Sequence, residues 1–96
     1  MNVLNCTILI DNHFKDSLID ILKEVVQTDY QVYSPKIFLV LQEIQEGTSN
    51  VSVQFFLVEN QSHQSFEENE FVLFIEKVSL MLNSPVQCFL TPLKLI

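Results

Sequence analysis

From Val3 to Ile10 the chain alternates, with Leu4, Cys6, Ile8 and Ile10 on one side and Val3, Asn5, Thr7 and Leu9 on the other. A period of two with one mostly apolar side predicts a strand. Asp11-Asn12 interrupts it, and either side chain can accept a hydrogen bond from the free amides of a first helical turn. From His13 to about Gln27 the period changes. Phe14, Leu18, Ile21, Leu22 and Val25 form one stripe, while Lys15, Asp16, Asp20, Lys23 and Glu24 take the remaining surface, which predicts an amphipathic helix. Thr28 to Pro35 reads as a connector, because Pro35 steers Ser34 out of helical geometry.

Lys36 to Gln45 is the strongest strand signal. Ile37-Phe38-Leu39-Val40-Leu41 is a continuous apolar run, the pattern of a strand covered on both faces. Glu46 to Asn50 is a turn around the chain's single glycine, Gly47. Val51 to Glu59 alternates again, with Val51, Val53, Phe55 and Leu57 opposite Ser52, Gln54, Phe56 and Val58. Two strands about a short glycine-containing turn predict an antiparallel hairpin. A polar loop, Asn60 to Gln64, leads to Ser65-Phe66-Glu67-Glu68, which matches a capping box with Ser65 as N-cap. Glu67, Glu68 and Glu70 would then sit at the positive end of the helix dipole. The helix runs to about Asn83 with Phe71, Ile75, Val78 and Leu82 as its stripe, widened by Val72, Phe74 and Met81, and Ser84-Pro85 stops it. Val86 to Thr91 is a last strand, with Val86, Cys88 and Leu90 on one side. Pro92 ends or kinks it, leaving an apolar tail from Leu93 to Ile96.

The order β-α-β-β-α-β predicts one α+β domain over residues 1–96. Its expected form is ferredoxin-like: a four-stranded antiparallel sheet with two helices on one face. Right-handed crossovers place the first and third strands in the centre.

Charge narrows the function classes. Twelve acids face five lysines and no arginine, giving a net charge of -7 and a pI of about 4.5. Nucleic-acid backbones need clustered cations, so nucleic-acid binding is excluded. The chain is not an acidic disordered tail, because 48% of it is apolar and eight residues are Phe. Abundant Asn, Ile and Phe beside absent Ala and Arg is the composition of AT-rich coding DNA, pointing to a low-GC microbial or mobile-element source. The N-terminus has no basic region or small-residue cleavage site, and no apolar run reaches the roughly 18–20 residues that span a bilayer. A cytoplasmic protein without membrane contact is expected. Cys6 and Cys88 are too few for a disulfide scaffold and lie in apolar runs, so they read as buried, reduced thiols. A disulfide would require their two terminal strands to be neighbours.

Reactive chemistry is sparse. Asp11-Asn12-His13 could supply half a metal site, but its spacing matches no structural zinc motif, and no metal or other cofactor is expected. His63, between Ser62 and Ser65, is expected to be a solvated loop side chain. No nucleophile elbow is present, one glycine cannot build a phosphate cradle, and Cys88 has no flanking base or helix N-terminus to activate it. Glu43 and Glu59, at strand ends, come nearest to an acid/base carboxylate and read as solvated strand termini. An enzyme is not expected.

What remains is surface. The sheet face away from the helices would carry Phe56 and Phe89, with Val58 and Leu9. Base-stacking domains of this topology use such aromatics, but here Ser52 and Gln54 stand where cations would be needed. An exposed apolar face favours a protein partner or a homodimer. The acids expected to make partner contacts are Asp16, Asp20, Glu24, Glu46, Glu59, Glu67, Glu68 and Glu70. In size, charge and composition the chain resembles the immunity proteins of bacterial toxin–immunity pairs, including contact-dependent growth inhibition systems. That resemblance implies a cytoplasmic inhibitor of a basic cognate toxin, for example a nuclease. The other readings are a homodimeric secretion chaperone or regulatory ligand-binding module, and a phage anti-restriction or anti-CRISPR inhibitor.

Overall fold

The alternation at the N-terminus becomes β1 (Asn2–Asp11), in which Leu4, Cys6 and Ile8 are fully buried. The computed structural model describes every residue except Glu43 and Asn60. The expected strand-end role of Glu43 and the start of the polar loop at Asn60 therefore lie outside the described residues. Asp11 caps a single 3-10 turn (Asn12–Phe14), its carboxylate accepting from His13 N at 2.8 Å. Helix α1 (Lys15–Asp29) follows and buries Leu18, Leu22, Val25 and Val26. Phe14, expected in that stripe, is instead half exposed, since it precedes the first full helical turn.

The connector after α1 holds a 3-10 turn (Gln31–Tyr33) that turns Tyr30 and Tyr33 into the core. Ser34 follows in the left-handed region at φ 44°. Strand β2 (Lys36–Leu39) is much shorter than the predicted Lys36–Gln45. It forms one edge of the sheet, so its apolar run is not covered on both faces: Phe38 is 46% exposed and Leu41, beyond the strand, 92%. Gly47, at φ +79°, takes the left-handed turn position that a side chain would strain. Strand β3 (Thr48–Phe56) therefore begins earlier than Val51 and buries Val51, Val53 and Phe55.

The second helix is built of α2 (His63–Phe66), a π-helical turn (Glu67–Phe71) and α3 (Val72–Leu82), without a break. Its N-cap is Ser62, whose hydroxyl accepts from Ser65 N at 3.0 Å. The expected Ser65–Glu68 capping box is thus one turn too late, and Glu67, Glu68 and Glu70 lie inside the helix rather than in its first turn. The π turn has a packing cause. Phe66 and Phe71 are both buried although they are five residues apart. In an α-helix that spacing places two side chains about 140° apart, whereas the wider π turn brings them nearly in line. Phe74 and Val78 continue the buried stripe, while Val72 and Met81 turn outward. Deleting Asn69 should convert the turn to regular α-helix, with Phe66 and Phe71 four apart on one face. We expect the fold to persist, with stability changed by no more than about 1–2 kcal/mol in a urea titration. Loss of cooperative unfolding would show that the extra residue is needed for more than spacing.

Strand β4 (Gln87–Lys94) runs through Pro92 rather than ending there. It is the other edge of the sheet, where proline costs no ladder bond if its nitrogen faces outward. The strand order is β2-β3-β1-β4, with every pairing antiparallel. The first and third strands are central, as the ferredoxin-like arrangement requires. The helices cover the face that carries Leu4, Cys6, Ile8, Val51, Val53 and Phe55. Phe55 lies 5.1 Å, ring to ring, from both Phe66 and Phe74, and Tyr30 packs edge-on to Phe74 at 5.3 Å. Among the described residues, no helix is long and apolar enough to cross a membrane.

Candidate partner-binding faces

The two helices carry eight of the twelve acids and only three of the five lysines, a net charge of -5 on that layer. Asp16, Asp20 and Glu24 recur at every fourth position of α1, which keeps them on one side, and all three are exposed. Glu68 is exposed, while Glu67 and Glu70 are half-buried. Asp29 and Lys77 form an ion pair between the helices at 2.5 Å. Both are about 40% exposed or more, so the pair contributes little to stability.

The eight expected contact acids do not form one patch. The hairpin loop containing Glu46 is tied to the start of α1 by Asn12 N donating to Gly47 O at 3.0 Å, and by the Ser49 hydroxyl donating to Asn12 Oδ1. Glu46 therefore shares an end of the domain with Asp16. The end of α1 lies beside the π turn, where the Tyr30 hydroxyl donates to Glu70 O at 3.4 Å. Glu24, Glu67, Glu68 and Glu70 gather toward this end. Glu59 follows β3 at the side opposite the hairpin, roughly 30 Å from Glu46 along a nine-residue strand.

The two histidines are occupied. His13 Nδ1 lies 2.8 Å from Asp11 Oδ1. The His13 backbone amide, and then its ring, hold the Asp11 carboxyl below its ordinary range. Among the described residues, no three His, Cys, Asp or Glu side chains converge as a metal site. His63 is not a solvated loop residue. Its Nε2 lies 3.0 Å from both Val3 O and Leu93 O, so it bears the proton and ties the start of the second helix to β1 and β4. Both acceptors are backbone carbonyls, which leaves this nitrogen no role as a base toward Ser62 or Ser65.

The cysteines are where sequence reasoning fell short. β1 and β4 are neighbours, with Ile8 opposite Cys88 and Cys6 opposite Leu90. Cys6 and Cys88 are thus diagonal partners on the helix-facing side, both free. Cys6 is fully buried and Cys88 partly so. The Cys6 thiol, placed beside it as a donor, lowers the pKa of Cys88 from 9.0 to about 7, against the opposing effect of burial. The same pairing, reinforced by burial, pushes Cys6 far upward. Cys88 therefore has an activating neighbour after all, supplied by strand pairing rather than by flanking residues.

The opposite face of the sheet is open. Phe38, Ser52, Thr7 and Phe89 form one row across its four strands. The next row is Lys36, Gln54, Asn5 and Thr91, and a third joins Phe56, Val3 and Leu93. Phe89 is 58% exposed and Phe56 half-buried, the outward positions expected for both. Phe38 joins them, hidden from sequence reasoning by the assumption that β2 was covered on both sides. Asn5 Nδ2 donates to Thr7 Oγ1 at 3.1 Å, and Thr7 Oγ1 lies 3.4 Å from Ser52 Oγ.

Comparison with known proteins supports the fold. The chain is similar to the de novo designed protein Foldit4, at 13% identity and a TM-score of 0.60, covering 99% of this chain and 98% of that one. It is also similar to the de novo designed protein LFR1 1 with ferredoxin fold, known from a solution NMR structure, at 12% identity and a TM-score of 0.55. That match covers 97% of this chain and 83% of the design. No curated protein matches the sequence. A family does match over residues 1–96, the whole chain, and by that match this protein belongs to the family described as Domain of unknown function (DUF4286).

Proposed function

We propose that this chain is a non-catalytic binding protein that engages a basic protein through its acidic helical layer, and that it acts in the cytoplasm as the immunity partner of a toxin such as a nuclease. The observation that carries this reading is the segregation of charge. The helical layer holds a net -5, while the strand rows of the open face hold Lys36 as their charged group. A one-sided acidic surface steers a cationic partner toward one face and accelerates encounter. The commitment of His63 to backbone carbonyls supports a binding rather than a catalytic role. The aromatic open face does not favour RNA, because stacking platforms work beside cationic grooves and Lys36 is alone there among the described strand residues.

The test begins with growth. Co-expression with the product of the adjacent upstream gene should restore growth if that product is the toxin. In stopped-flow mixing with that partner, the triple variant Glu67→Gln, Glu68→Gln and Glu70→Gln should lower the association rate about tenfold at 50 mM salt. It should converge with the parent at 500 mM, where screening removes steering beyond about 4–5 Å. A salt-independent rate, equal in the two proteins, rules out this reading.

A further inference from the structure

We propose that two copies of this chain associate face to face through the open side of the sheet, leaving both acidic helical layers outward. Charge selects the occupant. A chain with a net charge of -7 repels its own copy through most of its surface. In the three strand rows described above no acid occurs, so this is a face on which two copies meet without opposing carboxylates. Asp11, at the far end of β1, is turned into the cap over His13. Stacked sheets lie about 10 Å apart, and each helical layer adds roughly 10 Å more. The two acidic layers would thus be some 30 Å apart, several Debye lengths at physiological salt.

The competing apolar surface, the outer side of α3, fails the same criterion. Val72, Leu73 and Leu80 are more than half exposed there, but Glu76 sits among them and would meet its own copy, whereas the charge of the open face, Lys36, lies on the edge strand β2, away from the centre of that face.

The chemistry of the open face suits such packing. Phe38 and Phe89 stand at its two edges and are 46% and 58% exposed, so they have apolar surface to lose. Asn5, Thr7 and Ser52 in the centre already bond one another, and covering them leaves those bonds intact. Three strands of about seven residues and the four-residue β2 present roughly 400 Å² of flat sheet, below the roughly 800 Å² per partner of a standard interface. The dimer is accordingly weak and concentration-dependent.

Sedimentation equilibrium on the full chain tests this. From about 1 to 500 μM the apparent mass should climb from 11.1 kDa toward twice that value. The dissociation constant should change less than about threefold between 50 and 500 mM salt, because the acidic layers are already screened. Phe89→Glu should weaken association at least tenfold while keeping the parent circular dichroism spectrum. Thr91→Glu, at an exposed position of the same face, provides a second disruptive variant. Leu73→Glu, on α3, should leave association unchanged. A monomer throughout the range overturns the proposal, as does association lost in Leu73→Glu but kept in Phe89→Glu and Thr91→Glu. None of these outcomes depends on the basic partner, so failure here is distinct from failure of the proposed function.

Discussion

Phe55→Ala should destabilise the domain by about 3–5 kcal/mol, the usual cost of emptying a buried phenylalanine site. The side chain is fully buried on a central strand, and its ring contacts Tyr30, Phe66 and Phe74 at 6.0, 5.1 and 5.1 Å. It therefore joins the sheet to the C-terminal cap of α1 and to both α-helical segments of the second helix. A domain of this size has a total stability on the order of 5–14 kcal/mol, so the loss consumes a large share of it. The midpoint of thermal unfolding should fall by roughly 15–30 °C. Phe55→Leu, which keeps most of the volume but loses the edge-to-face ring contacts, should cost about 1–2 kcal/mol. Urea titrations followed by circular dichroism measure both. A Phe55→Ala cost below about 1 kcal/mol would mean that the aromatic cluster is not the centre of the core.

Cys88 should be the reactive thiol and Cys6 the inert one. With a pKa of about 7, Cys88 is half thiolate near neutrality. An ordinary thiol is then only a few per cent ionised. Iodoacetamide, quantified by peptide mass spectrometry, should label Cys88 at least a hundredfold faster than Cys6 in the folded protein, with a rate that rises through pH 7. Cys6→Ala removes the donor and should shift that rise upward. The stability consequence follows from the same shifts. Between pH 7 and 9 the unfolded chain keeps a proton that folded Cys88 has lost, so stability rises with pH. Above pH 9 the unfolded chain also ionises Cys6, which the folded protein keeps protonated, and stability falls again. Cys88→Ser should abolish the rise between pH 7 and 9. A labelling rate that is flat from pH 6 to 8, or equal for the two cysteines, would refute the pairing.

Both expectations concern residues whose burial was readable in advance, yet whose partners were not. Alternation places Phe55 and Cys6 on buried strand faces because a strand buried on one side repeats every two residues. Periodicity does not say which strand lies alongside. The pairing of β1 with β4 brings Cys88 against Cys6, and that is a contact between residues 82 positions apart. The same holds for Ser62 and His63. The S-x-x-E pattern at Ser65 is locally correct chemistry, but the carbonyls of Val3 and Leu93 hold His63 and start the helix a turn earlier.

The candidate faces divide in the same way. The outward placement of Phe56 and Phe89, and the acids along α1, follow from local period alone. The separation of Glu46 from Glu59 is likewise set by the length of β3 between them, whereas the addition of Phe38 to the open face depends on β2 being a short edge strand.

The amino-acid sequence by itself determined the order of elements, the buried sides of β1, β3 and α1, and the acidic character of the helical layer, since each rests on interactions within a few residues. The tertiary structure alone decided the extent of β2, the burial of Tyr30 and Tyr33, the π turn that aligns Phe66 with Phe71, and the thiol pair. Each of those depends on which distant segment supplies the opposing surface, and an apolar or polar residue carries no label for its partner.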